Sequence, residues 1–381
     1  MIVRKIQLKN FRNYENLDIE LNKKINVFLG NNGQGKTNIL ESIYVLAITK
    51  SYRTNQDTDL IRASTKSTKI KGIIKKKESQ NESELEILIN NKGKKVSINK
   101  KPIKKISEYI SYFNVITFHP DDLILLKGSP SERRKFLNVE IGQLDNQYLM
   151  YLNNYNTILK NRNDYLKKIT LESYDSGYLD IITRQLVDNA VMIYMYRQDF
   201  IDKLNKAIKK VNGKIKGLED VELKYETSVS ITTAEEIKQA LIEKYKNNLQ
   251  REIFITQTIT GPHRDNFLFF MGENNIKDFG SQGQQRMAVL SLKLAEIEIF
   301  KEKKGEYPLL LLDDVFSELD NRKKIAIMRY LSKRMQIVIT TTDINNIDIS
   351  EFKEISIFMV KNGVVKEENQ NKYRGDINER K

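Results

Sequence analysis

The residues with the clearest chemical potential are Gly30-Asn31-Asn32-Gly33-Gln34-Gly35-Lys36-Thr37, which fit the pattern G-x-x-x-x-G-K-[ST]. Glycines at this spacing let backbone N–H groups turn inward around phosphate oxygens. A helix starting behind them offers its positive end to the same charge. In such a loop Lys36 reaches the β- and γ-phosphates, and the Thr37 hydroxyl ligates Mg²⁺. A second chemical group lies far downstream, where the apolar run Pro308-Leu309-Leu310-Leu311-Leu312 delivers Asp313-Asp314. A hydrophobic strand ending in a carboxylate is the partner a phosphate loop requires (the Walker B arrangement). Asp313 would hold the metal shell, and Asp314 would orient or deprotonate an attacking water. Residues 30 to 37 are therefore read as the nucleotide cradle, with Thr37 and Asp313 as metal ligands. Lys36, Asp313 and Asp314 are read as catalytic.

The elements that must position these groups can be read around them. Ile25-Asn26-Val27-Phe28-Leu29 has the pattern of a short buried strand entering the loop, and Asn38-Ile39-Leu40-Glu41-Ser42-Ile43-Tyr44 has helical spacing leaving it. Lys36 and Asp313 are 277 positions apart, so a domain-sized segment is inserted between them. Apolar residues recur every three or four positions over residues 131–163 and again from Tyr178 to Leu204, with Gly177 and its polar neighbours between the two runs. This predicts two long amphipathic helices, packed antiparallel. Neither sustains a heptad array, so no extended coiled coil is expected. The division read from these patterns is an N-terminal part over residues 1–125, a helical lobe over 126–255, and a C-terminal part over 256–381.

Composition narrows the chemistry. The 381 residues include 64 Lys plus Arg against 50 Asp plus Glu, a net charge of +14, with no Cys and two His. Without cysteine there is no thiol nucleophile, disulfide or Cys-ligated metal. His119 and His263 are too few for a His-rich site, so any metal is expected on oxygen ligands. No apolar run is long enough for a membrane span, and the N-terminal residues lack the apolar core of a signal peptide. A cytoplasmic protein with a polyanionic partner is expected. Between Asp59 and Lys105 lie 14 basic and 5 acidic residues, net +9. The alternating runs Glu84-Leu85-Glu86-Ile87-Leu88-Ile89 and Lys95-Val96-Ser97-Ile98, joined by Asn90-Asn91-Lys92-Gly93, predict a β-hairpin with a basic tip. It is either a lysine-decorated edge that prevents sheet-to-sheet pairing or a surface that tracks DNA phosphates.

Further motifs carry a resemblance. Ser281-Gln282-Gly283-Gln284-Gln285-Arg286 precedes a helical pattern, with Ser281 placed as N-cap. It resembles the signature of ABC-type ATPases, and Ser317-Glu318-Leu319-Asp320 resembles the D-loop of that superfamily. Leu8-Lys9-Asn10-Phe11-Arg12-Asn13-Tyr14, Phe118-His119-Pro120-Asp121-Asp122-Leu123, Arg133-Arg134-Lys135-Phe136-Leu137 and Gly261-Pro262-His263-Arg264-Asp265 together resemble the RecF family of bacterial DNA repair proteins. The resemblance extends from the first residues to about Lys361.

That resemblance implies an α/β fold: an ABC-type P-loop ATPase head with a mixed sheet, related to SMC and Rad50 heads, plus an inserted helical lobe. It implies ATP-dependent homodimerisation in which Ser281, Gln282, Gly283 and Gln284 of one copy complete the ATP·Mg²⁺ site of another. It also implies duplex and gapped DNA as partners, weak DNA-stimulated hydrolysis, and cooperation with RecR and RecO in loading RecA. A transporter-type ATPase subunit and a structural SMC-like head are the alternatives. Asp314 stands where ABC enzymes usually carry Glu, Thr341-Thr342-Asp343 where transporters place a switch His, and no Q-loop glutamine is evident near Phe118. Slow hydrolysis is expected on those grounds. Asn138 and Asn266 stand where the family pattern leads one to expect Asp.

Overall fold

The computed structural model describes residues 1–370 apart from positions 78, 80, 171, 216–217, 219, 316–320, 345–351 and 353. The D-loop resemblance at Ser317 to Asp320 lies outside the described residues. The chain divides into two compact units. The first comprises Met1–Asp122, Val211–Leu218 and Lys293–Lys381; the second comprises Leu123–Lys210 and Glu219–Leu292. Residues 256–292, grouped by sequence with the C-terminal part, fall in the second unit, because the strand over residues 266–271 pairs with a strand of that unit.

The first unit is built on two six-stranded sheets. One is antiparallel and consists of β1 Ile2–Phe11, β2 Tyr14–Glu20, β4 Ser67–Lys75, β5 Ser83–Asn90, β6 Gly93–Ile98 and β7 Lys101–Pro102, in the order β2-β1-β4-β5-β6-β7. Strict alternation sets its two faces: in β4, Thr68, Ile70, Gly72 and Ile74 are buried while Lys69 and Lys71 point the other way. The expected basic hairpin is present, with Asn90 opposite Gly93 and a two-residue turn between β5 and β6. The other sheet consists of β3 Ile25–Leu29, β8 Val115–Phe118, β12 Leu309–Asp313, β13 Ile337–Thr341, β14 Ile355–Lys361 and β15 Val364–Glu368, in the order β15-β14-β3-β13-β12-β8. Its pairs are parallel except β14 with β15. The central strands β3, β12 and β13 are buried at every position, as continuous apolar runs require when both faces are covered. Helix α1 Lys36–Ile48 packs against strands of both sheets, and its near-complete burial follows. A short α2 Ile106–Ile110 precedes β8, and α10 Asn321–Ser332 follows β12.

The second unit holds α3 Ile124–Lys127, α4 Pro130–Leu144, α5 Asn146–Leu166, α7 Ala234–Ile255, α8 Ile276–Phe279 and most of α6 Ser176–Asn212. It also holds the first part of α9 Gln282–Lys304 and a small sheet of β9 Glu222–Glu226, β10 Asn266–Met271 and β11 Asn274–Asn275. The run over residues 131–163 is two helices rather than one. Asp145 leaves the helical region, and its carboxylate takes the Gln147 N–H, starting a new helix. Apolar spacing cannot register that one-residue break. Gly177 lies in the first turn of α6 instead of separating the helical runs, and α6 continues past Leu204 to Asn212.

Candidate functional site

The phosphate loop leaves β3 and closes on α1. Gly35, at φ 113°, is the N-cap of α1, a backbone conformation that glycine adopts without strain. A Cβ on Gly30 would collide with the Val360 carbonyl oxygen of the neighbouring strand. Asn31, Asn32 and Gly33 are exposed, while Lys36 is buried. Its Nζ donates to the loop's own carbonyls, Gly30 at 2.6 Å and Asn31 at 2.9 Å. Burial lowers the Lys36 pKa, against the opposing charges of Asp314 and Asp313.

The loop is held in part by Asn13 and Tyr14, which the sequence offered only as family pattern. Asn13 Nδ2 donates to the Gln34 carbonyl at 3.2 Å, and the Tyr14 hydroxyl donates to the Gly35 carbonyl at 3.0 Å. The amides of Asn362 and Gly363, in the β14–β15 turn, donate to Gln34 Oε1 at 2.7 Å and to its carbonyl at 3.2 Å. Behind the loop, the fully buried Glu41 of α1 takes both arms of Arg12, at 2.7 and 2.9 Å. The same carboxylate accepts the Ser51 hydroxyl at 2.6 Å and Arg53 at 3.2 Å. The opening segment Leu8 to Tyr14 therefore buttresses both the loop and its helix.

Asp313 ends β12 beside this loop. Its Oδ1 accepts the Thr37 hydroxyl at 2.9 Å and the Thr340 hydroxyl of β13 at 2.6 Å. His119 Nε2 lies 3.3 Å from Oδ2. The His119 Nδ1 accepts the Asp121 N–H at 3.1 Å, which leaves the ring proton on Nε2, toward Asp313. Burial pushes the Asp313 carboxyl up, but the bonds from His119, Thr340 and Thr37 outweigh it and hold it below the ordinary value. Burial likewise works against a charged His119, yet the bond to Asp313 and the charges of Asp313, Asp121 and Asp122 raise its pKa. Asp314 follows at φ 49°, the left-handed region that Asp tolerates better than most residues, with its amide on the Thr340 carbonyl at 3.2 Å. An ionised carboxylate lined by hydroxyls is a fitting donor set for a hard divalent cation. Thr37 and Asp313 are the pair that would share it.

The signature residues lie in the second unit. Ser281 caps α9 as expected: its Oγ accepts the Gln284 N–H at 3.2 Å, and Gln284 Oε1 accepts the Ser281 N–H at 2.9 Å. Gln284 is thus engaged in the cap, leaving the exposed Gln282 and Gly283 amides at the positive helix end. His119, Thr340, Arg12 and Arg53 were not singled out for the site from sequence. The adjacency of β8, β12 and β13, which brings His119 and Thr340 to Asp313, has no local sequence signal.

A phosphate loop, an acidic strand end and a sheet placing them side by side define an ABC-type P-loop ATPase head with an inserted helical unit. The profile of the RecF/RecN/SMC N-terminal domain family matches residues 2–366. The chain is 40% identical over 374 residues to the DNA replication and repair protein RecF of Ligilactobacillus salivarius, covering 97% of this chain and 98% of that protein. It is 43% identical over 370 residues to the RecF of Listeria welshimeri, covering 96% and 100%. The chain belongs to the RecF family of DNA replication and repair proteins. It resembles a solved structure of the recombination mediator protein RecF with ATP in the RecFOR pathway, at TM-score 0.89 and 30% identity, covering 96% of this chain and 97% of that one. The SMC head bound to the C-terminal winged-helix domain of ScpA shares the fold, at TM-score 0.53 and 15% identity over 98% and 100% of the two chains.

Proposed function

We propose that the protein is an ATP-dependent DNA-binding protein of recombinational repair and replication whose nucleotide state gates its dimerisation on duplex DNA near single-strand gaps. One observation carries this reading: the Thr37 hydroxyl meets Asp313 Oδ1 at 2.9 Å across 276 residues, joining phosphate loop and acidic strand into one site. ATP would occupy the cradle of Gly30, Asn31, Asn32, Gly33, Gln34, Gly35, Lys36 and Thr37. Lys36, desolvated and held against the loop, is placed to exchange carbonyl partners for phosphate oxygens. Thr37 and Asp313 would hold Mg²⁺, which when bound draws charge from the γ-phosphoryl oxygens. Asp314, turned off the strand by its left-handed backbone, would position the attacking water, and its side chain, shorter than Glu, supports slow hydrolysis.

Ser281, Gln282 and Gly283 of a second copy would present the α9 N-terminus to the γ-phosphate, with Gln284 holding that end in shape. Closure of two copies would then couple ATP to DNA affinity, in the cytoplasm, with RecR and RecO assisting the loading of RecA. No described helix is long and apolar enough to cross a membrane. The test is Ser281→Arg. It should leave ATP binding by the single chain within about twofold of wild type while blocking ATP-dependent cross-linking of two copies. Normal cross-linking would remove Ser281 from the site.

A further inference from the structure

The +9 stretch of the first unit is not uniformly available to a partner. On the outward face of the antiparallel sheet, Lys69 pairs with Glu86 at 3.0 Å, Lys71 with Glu84 at 2.7 Å and Lys5 with Asp18 at 2.9 Å. Lys94 is held by Asp57 at 2.8 Å. These cross-strand pairs cancel much of the charge of the sheet's middle. The β6–β7 edge differs. Lys92, Lys95, Lys100, Lys101, Lys104 and Lys105 are exposed, and none is ion-paired among the described residues. The nearest carboxylate in sequence is the exposed Glu108 of α2, with Glu84 and Glu86 occupied as above.

The backbone of this edge is itself unusual. Asn99 and Lys100 form the two-residue β6–β7 turn, at φ 50° and 65°. Two left-handed residues in such a turn favour Asn-Gly; here lysine occupies the glycine position and projects a charge from the tip. The Ile103 N–H donates to the Val96 carbonyl at 3.0 Å, so the returning chain brings Lys104 back toward Lys95. Strand β6, Gly93–Ile98, extends about 17 Å at roughly 3.3 Å per residue, with Lys92 and Lys100 in the turns at its two ends, a span of about five base-pair steps at 3.4 Å each.

We infer that the β6–β7 edge, with Lys92, Lys95, Lys100, Lys101, Lys104 and Lys105, is a contact surface for the phosphate backbone of duplex DNA. The inference deepens the proposed function and rests on its DNA reading. No aromatic residue occurs between Asn91 and Lys105, so the edge offers no platform on which unpaired bases could stack. It reads backbone charge without sequence preference, and a single strand of equal length binds it more weakly than duplex.

The experiment compares the full chain with a quadruple Lys95→Glu, Lys100→Glu, Lys101→Glu, Lys104→Glu variant and with the same four positions changed to Gln. A control reverses four exposed lysines of the second unit, Lys160, Lys206, Lys209 and Lys246. Fluorescence anisotropy with a 30-base-pair duplex is measured over a salt series, alongside vesicles containing phosphatidylserine. The edge variants should bind duplex at least tenfold more weakly at 0.15 M salt. The Gln variant should show a log–log salt slope shallower by about 0.9 for each phosphate it no longer neutralises. ATP binding should be retained in both, which shows that they fold. Edge variants that bind as wild type, or a control that weakens equally, would overturn the edge assignment while leaving the DNA reading intact. A wild type that ignores duplex at every salt concentration would overturn both. Tighter binding to the vesicles than to duplex would overturn the inference in favour of a membrane surface.

Discussion

Asp313 in the first unit and Asp265 in the second are buried to nearly the same extent, 6% and 2% exposed, yet their surroundings differ in kind. Asp313 is met by two hydroxyls and an imidazole. Asp265 is met by the guanidinium of the equally buried Arg197 at 3.0 Å and by the Tyr225 hydroxyl. Arg197 also donates to the Pro262 carbonyl at 2.6 Å, to Asn138 Oδ1 at 3.0 Å and to the Tyr148 hydroxyl at 3.1 Å. Burial pushes the Asp265 carboxyl up to about 6, against the pull of Arg197. Asp313 stays below its ordinary value. The contrast separates function from architecture. A carboxylate kept charged by hydroxyls and an imidazole, with no arginine or lysine paired to it among the described residues, can still receive a cation. One already matched to an arginine fastens a loop, here the Gly261 to Asp265 segment that sequence could identify only as a family pattern.

The sharpest way to break this contrast is Arg197→Met. It strands Asp265 without its cation and should cost about 3–5 kcal/mol of unfolding free energy in urea titrations. A loss under 1 kcal/mol would mean the pair holds nothing together. His263 gives the next largest effect. Its Nδ1 meets the Tyr155 hydroxyl at 2.6 Å and its Nε2 the Thr258 carbonyl at 3.0 Å, so the neutral ring is fully used, and burial lowers its pKa to about 4. The unfolded chain, near 6.5, takes the proton first. The His263 contribution is therefore complete above pH 6.5 and lost as pH falls through 4, up to about 3 kcal/mol. Asp265 acts in the opposite sense between its ordinary value and 6. The measurement is therefore the difference between wild type and His263→Gln, which should lose the His263 component of the pH dependence.

Asp313→Asn probes the other side. It should leave stability within about 1 kcal/mol and lower ATP hydrolysis on the order of 100-fold, since it removes charge from a site built to keep it. A large stability loss with hydrolysis intact would reverse the assignment. The smallest effect concerns Asn138 and Asn266, the two positions where the sequence resemblance leads one to expect Asp. Asn138 Oδ1 only accepts, from Tyr148 at 2.7 Å and Arg197 at 3.0 Å, so Asp fits there. Asn266 accepts from Arg133 at 2.6 Å but donates to Glu226 at 2.8 Å. Asn266→Asp would set two carboxylates together and should cost about 1 kcal/mol more than Asn138→Asp, read from paired urea curves.

What could be read from the sequence shares one property: the residues that define it are consecutive. The phosphate loop, the Leu309–Asp313 strand, the β5–β6 hairpin and the Ser281 cap each follow from local backbone chemistry. What escaped depends on which strands become neighbours or on single positions inside a periodic run. His119 reaches Asp313 because β8 lies in register beside β12, with Phe118 opposite Leu312. Arg12 reaches Glu41 because the first strand's turn lies over α1. Asp145 breaks a helix whose apolar period continues undisturbed.

The central claim, that nucleotide at this site controls the association of two copies, is tested most directly by sedimentation velocity of wild type and Lys36→Met with and without ATP and Mg²⁺. The expected result is a doubling of mass for wild type on adding ATP and no change for the variant. An unchanged wild type, or a Lys36→Met chain that doubles equally, would contradict it.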